Sequence, residues 1–223
     1  MEEIIYVDKP TGMTSFGAVA RVRRILSQRE GHKVKVGHTG TLDPFATGLL
    51  ILLAGKATKK APELTKKDKV YEATIRLGET STTGDPEGEI TATGAELPSE
   101  EQIAEVLKQF TGKIEQRPPI FSAIKINGER AYKLARKGQE VEMPTRTVEI
   151  YSIEQISYSE PELQIRTHVS SGTYIRTLAE DIGKALGCGA YCSQLRRTQI
   201  AEYKLDELPL FELPEQGGQQ KIP

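Results

Sequence analysis

The chain of 223 residues has no tryptophan, two cysteines and three histidines. Cys188 and Cys192 lie four apart in CGAYC, which is neither a C-x-x-C redox pair nor half of a zinc site with a second half in view. His32, His38 and His168 are scattered, without the H-E-x-x-H spacing that puts two imidazoles on one helix face. Both cysteines therefore read as reduced packing residues, and no metal is expected. Long apolar runs are also missing: the longest, Leu49 to Ala54, is far short of the roughly 18 residues a membrane helix needs. The N-terminal MEEIIYVDKP lacks the basic-then-apolar order of a secretory signal, so a cytoplasmic protein is expected, with no membrane partner. Gly55-Lys56-Ala57 lacks the spacing and the Ser or Thr of a phosphate-binding P-loop.

An excess of one charge is absent as well, the net value being −1, so total charge does not argue for nucleic acid. Its distribution is uneven. Residues 1–80 carry 14 Lys and Arg against 9 Asp and Glu, whereas Asp85 to Glu105 carries seven acids and no base. A locally basic face is compatible with a folded RNA partner and equally with a solvated surface.

The order of elements follows from pattern. Ile4 to Val7 reads as a strand ended by the turn cluster Asp8 to Gly12. Ser15 is the expected N-cap of a helix running to about Leu26, with Phe16, Val19, Val22 and Ile25-Leu26 as its stripe. Arg21, Arg23, Arg24 and Arg29 lie largely off that stripe, as a solvated face or as RNA contacts. Lys33 to Val36 alternates like a short strand, and a short helix is expected near Lys56 to Leu64. Val70 to Leu77 alternates cleanly, placing Tyr71, Ala73, Ile75 and Leu77 on one face. Gly78 to Gly88 reads as a long polar loop. Ser99 and Gln102 fit a capping box for a helix with Ile103, Val106, Leu107 and Phe110, stopped at Gly112. Gln116 to Pro119 is a break. A strand over Phe121 to Ile126, a turn at Asn127-Gly128 and a basic helix over Arg130 to Lys137 follow. Val148 to Ile156 and Leu163 to Val169 read as neighbouring strands. Ser170 to Thr173 opens a helix closed by Gly187, and a last strand spans about Thr198 to Tyr203. Arg176 lies where a helix dipole disfavours a cation, so a specific anion partner is expected for it. Mixed elements without regular alternation predict an α+β domain on a largely antiparallel or mixed sheet.

Gly37 to Leu50, GHTGTLDPFATGLL, concentrates the chemistry. Its Gly and Pro residues sit between two core-like segments, and Asp43 is its only ionisable group besides His38. Alone, such a loop is a structural turn with Asp43 capping local N–H groups, or a rigid support for one reactive carboxylate.

Six stretches in order, KPTGMTS, GHTGTLDPFATGLL, YEATIRLG, FSAIKINGERAYKLAR, SGTYIRTLAEDIG and LGCGAYCSQLRR, resemble the TruB family of tRNA pseudouridine synthases through about residue 211. The resemblance implies the pseudouridine synthase fold, with a central, mostly antiparallel sheet, flanking helices and an active-site cleft across the sheet. It implies a catalytic domain over residues 1–211 and a short flexible tail, 212–223, with no PUA domain. The implied reaction is isomerisation of uridine 55 in the T-loop of tRNA, by a monomer with no cofactor and no obligate protein partner. It further implies that Asp43 is the essential carboxylate, acting by attack at C1′ or by proton abstraction at C2′. Arg176 is implied as its paired cation, and Tyr71 as the ring that stacks on uracil and the base that removes the C5 proton. Leu195 is implied as a pocket wall, Tyr174 as support for the aspartate–arginine pair, and His38 as the side chain filling the gap left by the flipped base. Lys9 is implied to lie by the active site in a structural or phosphate-contact role, and Asp85 near the substrate. A C1′-cleaving nucleoside hydrolase and a non-catalytic tRNA-folding chaperone are the alternatives.

Overall fold

A computed structural model describes residues 1–120, 122, 125–126, 129–130 and 143–214. The chain forms two compact units, Met1–Lys69 with Arg196–Pro223, and Val70–Leu195.

The first unit is built on the apolar run. Strands β1 (Glu2–Lys9), β2 (Val36–His38) and β3 (Thr47–Gly55) pair antiparallel, with Val7 opposite Leu50 and Gly37 opposite Leu53. Leu49 to Ala54 is completely buried, as an unbroken apolar strand must be when both its faces are covered. Leu49, Ile51 and Leu53 pack with Ala57, Leu64, Ile200 and Leu205. Helix α1 (Ser15–Glu30) lies against β2 and β3 through Val19, Val22 and Leu26. It runs four residues beyond the expected end, because Ser27 to Glu30 contain no breaker and the stop is Gly31, in the left-handed region at φ 70°. A 3-10 turn over Lys56–Lys60 and helix α2 (Ala61–Thr65) follow β3. The expected strand at Lys33 to Val36 is displaced to Val36–His38.

The second unit holds β4 (Lys69–Leu77), β5 (Glu79–Ser81), β6 (Ile90–Ala92), helix α3 (Glu100–Gln109), β7 (Gly112–Gln116), β8 (Lys125–Ile126), β9 (Glu129–Arg130), β10 (Arg146–Ser159), β11 (Glu162–Val169), helix α4 (Ile175–Ala185) and the first part of β12 (Ala190–Ile200). Strand order here is β12-β4-β11-β10-β7, with β10 antiparallel to both β11 and β7. Tyr71, Ala73, Ile75 and Leu77 share the buried face of β4. The Ser99–Gln102 capping box opens α3 as expected. Strand β7 stands where only a helix stop and a break were expected; its polar GKIEQ becomes a strand by pairing with β10, which supplies the backbone partners that its side chains do not advertise. Strand β12 starts eight residues earlier than expected, so Leu195, Arg196 and Arg197 all lie on it. Its last residues pair in the first unit, parallel to β3 and antiparallel to β13 (Tyr203–Lys204). Strands β8 and β9 pair antiparallel, placing Arg130 on a strand rather than at a helix start. The expected turn at Asn127-Gly128, Phe121, and the basic helix beyond Arg130 lie outside the described residues. So does the tail beyond Pro214, whose own carbonyl accepts a bond from Arg21 at 3.1 Å.

The cap of α1 differs instructively from expectation. Thr14 is the N-cap, its Oγ1 accepting from the Gly17 N–H at 2.9 Å. Ser15 is buried and bonds Leu42 twice, donating to its carbonyl at 2.9 Å and accepting its N–H at 2.8 Å. A capping bond contributes about 1 kcal/mol, whereas losing both Ser15 bonds strands a buried peptide group at a cost of roughly 2–3 kcal/mol. Urea unfolding should therefore show Ser15→Ala to be more destabilising than Thr14→Ala; the reverse order would restore Ser15 as the cap.

Candidate active site

In the first unit the structure fixes the signature loop on both sides of Asp43. Ser15 holds Leu42, as above. Pro44 is held through its carbonyl, which accepts from the Gly12 N–H at 2.8 Å and the Lys9 ammonium at 3.3 Å. Thr11 donates to the Phe45 carbonyl at 3.1 Å, and the Ala46 N–H returns to the Asp43 carbonyl at 3.1 Å. Asp43 itself is half-buried. The result is a carboxylate whose backbone neighbours are tied down while its side chain keeps some access to solvent, the arrangement a positioned reactive group requires.

Lys9 is fully buried, its ammonium also donating to the Pro10 and Met13 carbonyls at 2.9 and 2.7 Å. These bonds tie the KPTG turn to the signature loop. His38 is half-buried; its Nδ1 accepts from the Gly40 N–H at 3.3 Å, and its ring meets Phe16 edge to face at 5.2 Å. Arg197, which the sequence presents only as the last residue of the LGCGAYCSQLRR motif, is 1% exposed. Its Nε donates to the Leu49 carbonyl at 2.8 Å and its Nη2 to the Gly40 carbonyl at 3.2 Å, closing the loop at both ends. Gly48, at φ 101°, lies against the Arg197 backbone so closely that any β-carbon would collide with it.

The second unit holds Tyr71, Asp85, Tyr174, Arg176 and Leu195. Arg176, in the first turn of α4, is 4% exposed, and its Nη1 donates to Asp85 Oδ2 and to the Thr83 carbonyl, both at 2.9 Å. The anion expected beside Arg176 is thus present in Asp85. Asp85 was expected in an open polar loop, yet it is buried, because the loop folds inward around it. Its Oδ1 accepts from Thr83 Oγ1 at 2.6 Å and the Glu87 N–H at 3.0 Å, and its carbonyl accepts from Ser81 Oγ at 2.5 Å. Tyr174 precedes α4, and both its backbone groups are held by buried Gln116: N–H to Oε1 at 2.8 Å, carbonyl from Nε2 at 3.0 Å. The Arg146 guanidinium lies 4.8 Å from the Tyr174 ring centre. Gln116 thus aims the start of α4, a role hidden in sequence behind the Gln-Arg-Pro-Pro break. Tyr71 on β4 and Leu195 on β12 are both buried with little residual exposure.

Glu180, one turn beyond Arg176, packs its carboxyl against Gly84, the residue before Asp85. Burial first, then Asp181 and Asp85, push its pKa up from 4.5 to about 7, with Arg176 opposing. A carboxyl with a raised folded-state pKa favours the folded state below its unfolded value, and that contribution is lost as pH rises through the folded one. Stability should therefore fall between about pH 4.5 and 7, and Glu180→Gln should flatten that part of the profile in thermal melts. Asp85→Asn removes the charged partner of buried Arg176 and should cost about 3–5 kcal/mol in urea unfolding.

The chain matches two family profiles: TruB family pseudouridylate synthase (N terminal domain) over residues 23–175, and tRNA pseudouridylate synthase B C-terminal domain over residues 176–215. It is 46% identical to the tRNA pseudouridine synthase B of Phocaeicola vulgatus, covering 99% of this chain and 95% of that one. It is 50% identical to the protein of that name from Parabacteroides distasonis, over 92% and 88% of the two chains. Among solved structures, a chain of a Cbf5-Nop10-Gar1 complex superposes with a TM-score of 0.68 at 34% identity, over 90% of this chain and 50% of that one. A chain of an H/ACA RNP bound to a substrate RNA containing 2′-deoxyuridine gives 0.67 at 32%, over 92% and 49%. The chain therefore spans about half the length of these solved chains. A profile covering most of the sequence, and relatives matched along nearly their whole length, establish that the chain belongs to the TruB family of pseudouridylate synthases and has their mixed α+β fold.

Proposed function

We propose that this chain is a tRNA pseudouridine synthase that isomerises the uridine at position 55 of the T-loop. The observation that carries the reading is Asp43, a half-buried carboxylate on a loop pinned at Leu42 and Pro44, within a sequence 46% identical to a tRNA pseudouridine synthase B over nearly its full length. In the reaction the N1–C1′ bond breaks, the uracil turns, and C5 bonds to C1′. The C5 proton is lost and N1 is reprotonated, so the product has the mass of the substrate. A carboxylate serves this chemistry by attack at C1′ or by taking a proton from C2′.

In this reading Asp43 acts on the ribose and Arg176 is the cation that favours its ionised form. Asp85 keeps the Arg176 guanidinium in place, and Gln116 and Tyr174 fix the start of the helix that carries it. Tyr71 offers its ring to uracil and its hydroxyl as the base for the C5 proton. Leu195 is an apolar wall that keeps water from the intermediate. A uridine inside a folded loop must be extruded at a cost of a few kcal/mol, and His38 takes the vacated space. Lys9 acts through the backbone, by holding Pro44 beside Asp43. The enzyme works as a cytoplasmic monomer without an obligate protein partner, which light scattering of the active species tests.

Pseudouridine mapping of unmodified tRNA incubated with the protein is the deciding experiment. Isomerisation at one T-loop uridine, with Asp43→Ala slowed on the order of 10³-fold or more, is the expected result. Free uracil would instead reveal a hydrolase. Tyr71→Phe should retain RNA binding and stall product formation; full turnover would assign the base elsewhere. Arg176→Lys should lose activity, since a point charge does not replace a planar fork.

A further inference from the structure

The outer face of α1 has no role in the core. Phe16, Ala20, Arg23 and Arg24 are all exposed, at positions recurring every three or four residues and therefore along one side of the helix. Phe16 is 61% exposed. A single apolar side chain in solvent is ordinary, but this ring is not isolated. It meets His38 edge to face, with centroids 5.2 Å and planes 85° apart, while the Gly40 N–H holds the imidazole through Nδ1. An exposed aromatic is thus fixed against the ring that the proposed reaction places in the RNA loop.

Apart from Glu30 at its last position, every charge on the same helix is an arginine. Its first turn holds no acid. Of its arginines, Arg29 is engaged by Glu3 and Glu30, and Arg21 by the Pro214 carbonyl. Arg23 and Arg24 make no ion pair among the described residues. They lie about 10–12 Å along the helix axis from Phe16, given a rise of 1.5 Å per residue. One rigid element therefore presents an aromatic face at one end and two uncommitted guanidinium groups two turns away. That is the chemistry of single-stranded RNA recognition, in which bases stack on aromatic rings and cations follow the phosphates.

We propose that the outer face of α1 contacts the substrate RNA, with Phe16 stacking on a loop nucleobase beside the position His38 serves and with Arg23 and Arg24 taking backbone phosphates. The proposal rests on the reading of the chain as an enzyme acting on an RNA loop. Phe16 has no hydrogen-bonding group, so it supplies affinity and register rather than base identity. The arginines supply the salt-dependent part.

The lack of tryptophan makes the test direct, because Phe16→Trp is then the sole indole in the protein. The probes are a T-arm hairpin RNA and a duplex of the same stem without the loop. The expected results are quenching of the indole by the hairpin and much less by the duplex, and about tenfold weaker hairpin binding by Phe16→Ala. Phe16→Leu should also bind weakly, since it keeps apolar bulk and loses the stacking face. Arg23→Gln with Arg24→Gln should lower the slope of log affinity against log salt by about 1–2. Unchanged melting temperatures confirm that these exposed substitutions leave the fold intact. Hairpin binding without quenching, or Phe16→Ala and Phe16→Leu binding like the unsubstituted protein, overturns the proposal, as does an RNA-insensitive face that captures a protein instead. Hairpin binding that depends on Phe16 without any isomerisation would uphold this surface and refute the proposed reaction.

Discussion

A buried cation with no carboxylate partner among the described residues organises the first unit. Arg197 lies under the signature loop, and its guanidinium spends its donors on the carbonyls of Gly40 and Leu49. Burying a guanidinium is costly unless its hydrogen bonds are satisfied, so the loop closes around it and β3 starts against its backbone. The left-handed geometry of Gly48 permits that close approach. The influence of this charge extends to Lys69, whose pKa burial and then Arg197 lower to about 8. Lys9 and Ser15 repeat the tactic on a smaller scale, each using a buried polar group to hold loop carbonyls. Asp43 thus stands on a loop tied at several points from beneath.

The second unit solves a related problem with an ion pair. Arg176 is placed where a helix dipole opposes it, and Asp85 compensates from a loop folded inward for the purpose. Every carboxylate oxygen of Asp85 has a donor. Glu180 adds a second carboxyl to the neighbourhood, with a proton affinity raised towards neutrality. Both units therefore hold a buried cation by satisfying its donors, Arg197 with carbonyls and Arg176 with a carboxylate and a carbonyl.

What could be read from sequence divides along physical lines. The apolar run at Leu49–Ala54, the alternation of Val70–Leu77 and the Ser99 capping box are local signals, and the corresponding elements formed. Strand β7 was hidden because GKIEQ acquires its identity from β10, whose paired residues lie 30 to 38 positions away in sequence. Thr14 and Ser15 are chemically alike, and only the position of Leu42 decides which one caps and which one is buried. Motif resemblance pointed to Asp43, Tyr71 and Arg176 as the chemistry. No pattern revealed that Arg197, in a pair of arginines, is sealed while its neighbour Arg196 reaches a half-exposed pair with Asp8 at 2.7 Å. Burial of a charge is a property of the finished packing, and adjacent residues on a strand face opposite ways.

The cysteines have a consequence of another kind. Cys188 and Cys192 are the only two in the chain, both are buried thiols, and both lie in the second unit. A thiol reagent cannot reach either without local opening there, whereas the first unit contributes no sulfhydryl at all. Thiol trapping therefore acts as a clock for one unit: its rate reports how often the structure around Cys188 and Cys192, within Val70–Leu195, opens.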